Sequence, residues 1–226
     1  MEKEAKENNN EINDIIIEKL PKSCSVYDKS IKIILLGDSG VGKTSLINIA
    51  VGKKFSDLML TTLNASYSVK KVYINNKLYK LNLWDTIGQE RYRQLTKLFY
   101  TNTKIVIFVY ECISRKSLES LDYWVKDVES NLGKDYIKAV VANKIDLYLK
   151  EEVKPQEGEE FAKKIDAHFL EISAKEDNPE TFLDFIVDLT KEYLLTKNID
   201  DKNNKGRIKL KKNVINNNTN NKKKCC

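Results

Sequence analysis

Short apolar runs recur along this chain, each followed by a polar turn or by apolar residues at helical spacing. Ile31 to Leu36 (IKIILL) is almost continuously apolar, the pattern of a strand buried on both faces. It runs into a glycine-rich turn, after which SLINIAV continues as a helix. Val69 to Ile74 and Leu78 to Trp84 read as two strands joined across Asn75-Asn76, a tight-hairpin turn. Ile105 to Tyr110 (IVIFVY) and Ala139 to Ala142, preceded by Ile137, predict two more buried strands. Between them, Leu118, Leu121, Trp124, Val125 and Val128 give Ser117 to Asn131 a helical period. Phe161, Ala162 and Ile165 mark a face of another helix, His168 to Ile172 a last strand, and Thr181 to Leu195 a closing helix. Strands alternating with helices predict an α/β fold: a six-stranded, mostly parallel sheet with one antiparallel hairpin strand and helices on both faces. Ligands of such sheets bind at the carboxyl ends of the strands.

Composition narrows the class. The longest apolar run, Ile105 to Tyr110, is far below the roughly 18 to 20 residues of a membrane span. The leading MEKEAKENNN has no apolar stretch for a secretory signal and no second-position Gly for myristoylation. Four cysteines, two of them the last two residues, do not make a disulfide framework. A soluble cytosolic chain is expected. Its net charge of +6 is unevenly spread. Residues 1–30 hold five Lys against seven acids, residues 197–226 hold nine Lys and one Arg against Asp200 and Asp201, and 31–196 is neutral with 24 of each sign. The tail, rich in Asn and Lys and without aromatics, cannot bury enough apolar surface to order itself. We therefore expect one domain over 31–196, a largely disordered extension over 1–30 with a short helix at Ile12 to Leu20, and a disordered basic tail over 197–226.

Gly37-x-x-x-x-Gly42-Lys43-Thr44 is the P-loop pattern, and it follows a predicted strand and opens a predicted helix, the context that sets it apart from a chance glycine-rich turn. In such a loop the backbone N–H groups of Ser39, Gly40, Val41, Gly42, Lys43, Thr44 and Ser45 can turn inward around phosphate oxygens, aided by the helix N-terminus. Lys43 reaches the terminal phosphates and the Thr44 hydroxyl is placed to ligate Mg²⁺. Asn143-Lys144-Ile145-Asp146 and Ser173-Ala174-Lys175 each follow a strand. A carboxylate there, Asp146, can accept from N1–H and the exocyclic amine of guanine, whereas adenine would leave it unpaired. The Lys144 stem can pack on the purine, and Asn143 can tie this loop to the P-loop. Phe55 is either an edge contact to the base or ordinary core.

Trp84-Asp85-Thr86-Ile87-Gly88-Gln89-Glu90 ends the third strand. Asp85 there can hold magnesium through water, Gly88 can offer its N–H to a γ-phosphate, and Gln89 can orient an attacking water. Thr62 is the natural second hydroxyl ligand for the metal. With these motifs in register, residues 31–196 resemble a P-loop small GTPase of the Ras superfamily, and within it the Rab family. The Rab-like pieces are Lys80-Leu-Asn-Leu-Trp84, Arg91-Tyr-Arg-Gln-Leu-Thr96, Val106-Ile-Phe-Val-Tyr110 and the terminal Cys225-Cys226. Leu121-Asp-Tyr-Trp124 with Phe161-Ala-Lys-Lys164 is similar to the eighteenth-numbered Rab branch.

The resemblance implies a GTP hydrolase that cycles between GTP and GDP, with Mg²⁺ as cofactor and Gln89 as catalytic residue. It implies switches at Lys54 to Asn64 and Asp85 to Thr96, ordered by the γ-phosphate and released on hydrolysis. It implies effectors, an exchange factor, an activating protein, a prenylation escort and a GDP-dissociation inhibitor as partners. Terminal Cys225-Cys226 resembles the double-prenylation signal, and the adjoining lysines suit an anionic intracellular membrane. The location implied is the cytoplasmic face of such a membrane, with a cytosolic pool, in vesicle trafficking. The lysine runs have no interleaved aromatics and abut those cysteines, so no nucleic-acid partner is expected. No arginine lies between Lys53 and Thr62 to act in cis, so slow intrinsic turnover is expected. His168, the only histidine, is read as a strand residue without catalytic role, and Cys24 and Cys112 as reduced thiols.

Three departures from the family stand out. Thr101-Asn102-Thr103 replaces a small, Arg-containing stretch, which bears on partner identity. Members usually have Gly where Asn64 stands and Ala where Ile87 stands. Ile87 is stiff and branched, directly before the glycine that must close on the γ-phosphate. Either a compensating pocket accepts it, or the second switch closes poorly and the protein becomes a slow-hydrolysing or nucleotide-stabilised binding module. A third class, a P-loop kinase, is disfavoured because no Arg-rich lid segment follows. Single-turnover GTP hydrolysis by the wild type and by Ile87→Ala decides the Ile87 question. A faster variant shows poor closure; equal rates show a compensated pocket.

Overall fold

The structure, a computed structural model, describes residues 29–56, 66–86, 99–133 and 135–197. Thr62, Asn64, Ile87, Gly88, Gln89, Cys24, Cys225 and Cys226, together with the predicted Ile12 to Leu20 helix and most of both switch segments, lie outside the described residues.

Six strands form one sheet: β1 (Lys29–Leu36), β2 (Ser66–Ile74), β3 (Lys77–Asp85), β4 (Ile105–Glu111), β5 (Ile137–Asn143) and β6 (His168–Ile172). Their order is β2-β3-β1-β4-β5-β6, parallel throughout except for the antiparallel β2–β3 pair. The predicted α/β sheet is therefore the observed one. Asn75 and Asn76 take φ of 51° and 59°, the left-handed pair that a two-residue hairpin matching strand twist requires.

The helices are α1 (Lys43–Ala50), α2 (Arg115–Glu119), α3 (Leu121–Leu132), α4 (Pro155–Lys164) and α5 (residues 179–197), with a 3₁₀ segment at Ile145–Lys150. Alternation along β1 shows how they are layered. Ile33 and Leu35 pack with Leu46 and Ile47 of α1 and with Phe182, Ile186 and Leu189 of α5. Ile34 and Leu36 pack with Leu121, Trp124 and Val125 of α3 and Ala162 of α4. Because successive strand residues point to opposite faces, one continuously apolar strand feeds two cores.

Of the boundaries that differ from the sequence pattern, two are in helices over the second core. The helix expected over 117–131 starts at Arg115 and is divided at Ser120. There the Ser120 hydroxyl donates to the Ser117 carbonyl at 2.9 Å, while its N–H still reaches Lys116. The helix carrying Phe161 and Ala162 starts earlier, at Pro155, whose fixed φ suits a first turn. Its Gly158 marks the close approach to the sheet: a Cβ there would lie 2.0 Å from the Tyr110 hydroxyl oxygen.

Candidate functional site

The loops that follow β1, β5 and β6, with Phe55 and Ser56 after α1, line one cleft of about 390 Å³. β1 ends in the loop 37–42. Gly37 (φ 148°) has no room for a side chain, since a Cβ would sit 2.1 Å from the Val109 carbonyl oxygen. Gly42 (φ 97°) is the N-cap of α1, and its Cβ would meet Asn143 Nδ2 at 2.1 Å. These two glycines let the loop fold against the neighbouring strand ends, leaving the α1 N-terminus open toward the cleft.

Lys43 is only 5% exposed. Its ammonium donates to the carbonyls of Gly37 at 2.9 Å and Asp38 at 2.8 Å. Burial pulls its pKa down to about 8, against the opposing pull of the Asp85 and Asp38 carboxylates. A buried cation so depressed is stabilised by any anion brought beside it.

Thr44 and Asp85 meet across the loop: the Thr44 hydroxyl donates to Asp85 Oδ2 at 2.7 Å. The other carboxylate oxygen, Oδ1, is buried and accepts no hydrogen bond among the described residues. A hydroxyl and a carboxylate held together, with one buried oxygen short of a donor, fit a hard divalent cation such as Mg²⁺ that keeps several waters. The next residue, Thr86, is buried and donates from its hydroxyl to the Leu35 carbonyl at 2.6 Å. That bond fastens the start of the second switch segment to β1.

At the other end of the cleft, Asn143 is 1% exposed and fully engaged. Its Nδ2 donates to the Val41 carbonyl at 2.8 Å, and its Oδ1 accepts from the Ala174 N–H at 3.2 Å. Ser173, equally buried, donates from its hydroxyl to Asp146 Oδ1 at 2.6 Å while receiving the N–H groups of Lys175 and Glu176. Lys144 takes the left-handed conformation (φ 66°) and pairs with Glu111 at 2.5 Å.

Among the sequence candidates, Gly40, Gly42, Ser45, Phe55, Asn143, Lys144, Asp146, Ala174 and Lys175 line the cleft. Ser173 stands behind Asp146 and orients it. Val41 is fully buried, so only its backbone is available to a ligand. Phe55 satisfies both of its readings, since it lines the cleft and packs against the core of the α1 face.

Sequence reasoning missed four supporting residues. Trp124 donates its indole N–H to Asp38 Oδ1 at 3.3 Å, bracing the phosphate loop from α3. Glu111 pairs with Lys144, Cys112 places its thiol 3.1 Å from the Lys144 carbonyl, and Asp177 accepts the Ser173 N–H at 2.7 Å. Glu111 and Cys112 could have been suspected from their place, directly after the apolar run of β4. Trp124 carries no such signal, because its spacing is that of any core residue of a helix.

Replacing Asn143 by Ala strands a buried carbonyl and a buried N–H, at a cost of about 1 to 3 kcal/mol each. Loss of at least about tenfold in nucleoside-phosphate affinity is expected, because both ends of the cleft lose their tie. Titration calorimetry on Asn143→Ala beside a denaturation curve checks it. A folded variant with wild-type affinity contradicts the role.

A sequence profile of the Ras family matches residues 32–192. Ras-related protein Rab-11B of Dictyostelium discoideum is 40% identical over 67% of this chain and 69% of its own length. Human Ras-related protein Rab-30 is 38% identical over 74% of this chain and 83% of its own, and human Rab-21 is 37% identical over 76% of each. These identities are nearly equal and none of the three carries the number eighteen, so the similarity assigns the family and not a branch. With the phosphate loop, the two strand-end motifs and the sheet order all in place, the chain belongs to the Ras family, as one of its Rab-type small GTPases.

Proposed function

We propose that this cleft binds GTP and GDP with Mg²⁺, and that the chain acts as a hydrolysing switch in membrane trafficking. One observation carries the reading: Asn143 joins a phosphate loop and a carboxylate-bearing base loop into a single cleft. The N–H groups of residues 39–45 and the Lys43 ammonium take the phosphates. Asp146, oriented by Ser173, takes N1–H and the exocyclic amine of guanine, with Lys144, Ala174, Lys175 and Phe55 around the ring. Thr44 and Asp85 would hold the metal, Asp85 through water, with Thr62 as the further hydroxyl ligand. The metal supplies charge neutralisation at the β- and γ-phosphates. Gly88 meets the γ-phosphate and Gln89 orients the water that attacks in line. Catalysis is then largely electrostatic, and an activating protein supplies the cation missing in cis.

The chain divides, on this reading, into extension 1–30, catalytic domain 31–196 and tether 197–226. Cys225 and Cys226 carry prenyl groups delivered with an escort, and a GDP-dissociation inhibitor holds the cytosolic pool. The basic tail adds attraction to an anionic intracellular membrane, where exchange factor and effectors act.

Competition binding tests the reading: tight binding of GTP and GDP without ATP is expected, and equal ATP binding overturns it. The same titration has a defined pH dependence. In the free protein Lys43 loses its proton through about 8. Phosphates beside it restore the pKa toward the ordinary value of about 10.4, so binding takes up a proton between these limits and weakens up to about tenfold per pH unit there. Calorimetry at about pH 9 in buffers of different ionisation enthalpy should register this uptake, absent at about pH 7 and smaller in Lys43→Met, where only the guanine N1 contribution remains. No uptake at the higher pH contradicts it.

A further inference from the structure

The neutral charge of residues 31–196 is a sum over unlike parts. β1, β2 and β3 carry Lys29, Lys32, Lys70, Lys71, Lys77 and Lys80, and before Asp85 they contain no acidic residue. Register puts Lys71 directly opposite Lys80, and Lys80 beside Ser30. Like charges so placed repel within the sheet, and an anionic segment lying over Lys71 would relieve that repulsion. Alternation places Tyr67, Val69 and Tyr73 on the same face as Lys71, and they are 59%, 46% and 44% exposed. Tyr67 stacks on Trp84 at 5.2 Å between ring centroids, and the Lys32 ammonium sits 4.4 Å from the Trp84 ring centre. An aromatic stripe edged with lysines is a surface made to be covered.

We propose that residues 11–20 of this chain's own N-terminal extension dock on that face. Residues 1–28 carry seven acids against four lysines. At 100° per residue, Glu11, Asp14 and Glu18 fall within an arc of about 60°, and Ile12, Ile15, Ile16 and Leu20 within about 140°, interrupted by Lys19. Pro21 ends the segment. Such an element offers an apolar stripe to Tyr67, Val69 and Tyr73, and an acidic edge to Lys71 and Lys80.

The point of attachment agrees. The chain enters β1 at Lys29, in register with Tyr79 of β3, whose partner on β2 is Val72, so it arrives level with Lys71 and Tyr73, with β3 between. Residues 21–28 can span up to about 28 Å, and the stripe from Tyr73 to Tyr67 is about 20 Å long. Tethering at this distance gives an effective concentration on the order of millimolar, enough for a modest interface to be occupied. The docking stands whether or not the switch reading does. Where effectors use this face, they must first displace the segment.

Hydrogen exchange on the full, unprenylated chain with GDP present tests it. Three variants are compared: Glu11→Lys with Asp14→Lys and Glu18→Lys, Lys71→Glu with Lys80→Glu, and all five reversals together. None of these residues lies in the nucleotide cleft, so nucleotide binding reports that each variant is folded. Exchange of the peptides covering 66–84 should rise about tenfold in either partial reversal and return to the wild-type rate when all five are combined. Unchanged exchange after reversing the acids overturns the proposal, as does a loss that the combined variant fails to rescue. Protection that grows with protein concentration assigns the face to a second copy, and protection that appears only with phosphatidylserine vesicles assigns it to a membrane. Either result also overturns it.

Discussion

The amide of Asn143 is the contact on which the site depends. β5 delivers it to the sheet's carboxyl edge between β4 and β6, and its two polar atoms reach to Val41 and to Ala174. A buried amide gains little from each bond but loses heavily if either is unmade. The two loops therefore hold their spacing together or not at all. That spacing is the distance between a ligand's phosphates and its base. The glycine at 42 follows from the same contact, since a side chain there would occupy the position of the Asn143 nitrogen. The phosphate loop and the base loop, over a hundred residues apart in sequence, are in this sense one structural unit.

Most of the fold was legible because strands buried on both faces leave a strong mark. IKIILL and IVIFVY became β1 and β4, and Asn75-Asn76 became the hairpin turn, since few residues tolerate the backbone angles it needs. What escaped was context. The division of the helix at Ser120 is one instance: its backbone stays helical and its N–H still reaches Lys116, so no residue pattern marks the boundary. The 3₁₀ turn at Ile145–Lys150 follows from the left-handed Lys144, which no periodicity announces. In the site, residues belonging to motifs were found because the motif fixes their spacing. Residues acting on motifs were missed, because Trp124 bracing Asp38 and Asp177 holding Ser173 come from separate elements brought together only by packing. Phe55 shows why a choice between core and ligand contact can be a false one. A ring at the rim of a cleft has two sides.

Charge teaches the same lesson. Counted along the chain, the basic excess belonged to the tail and the domain was neutral. Folding sorts the domain's own charges in space, gathering six lysines onto three adjacent strands. A sum over sequence cannot reveal this, because lysines in β1 and those in β2 and β3 are more than thirty residues apart and become neighbours only through register. The antiparallel β2 matters here: it brings Lys71 across from Lys80, where repulsion is strongest and a covering anion is most stabilising.

The cleft and the sheet's outer face are physically connected. β3 supplies the shortest physical route. Asp85, bonded to Thr44 in the cleft, directly follows Trp84, which stacks on exposed Tyr67 and lies beside Phe99 at 5.4 Å. Neighbours in a strand point to opposite faces, so one backbone step separates the carboxylate bonded to the phosphate-loop threonine from the ring on the outer face. The Thr86 bond to Leu35 pins the residue after them. The end of β3 is thereby held to β1, and Trp84 and Asp85 are presented on opposite faces of one anchored strand end.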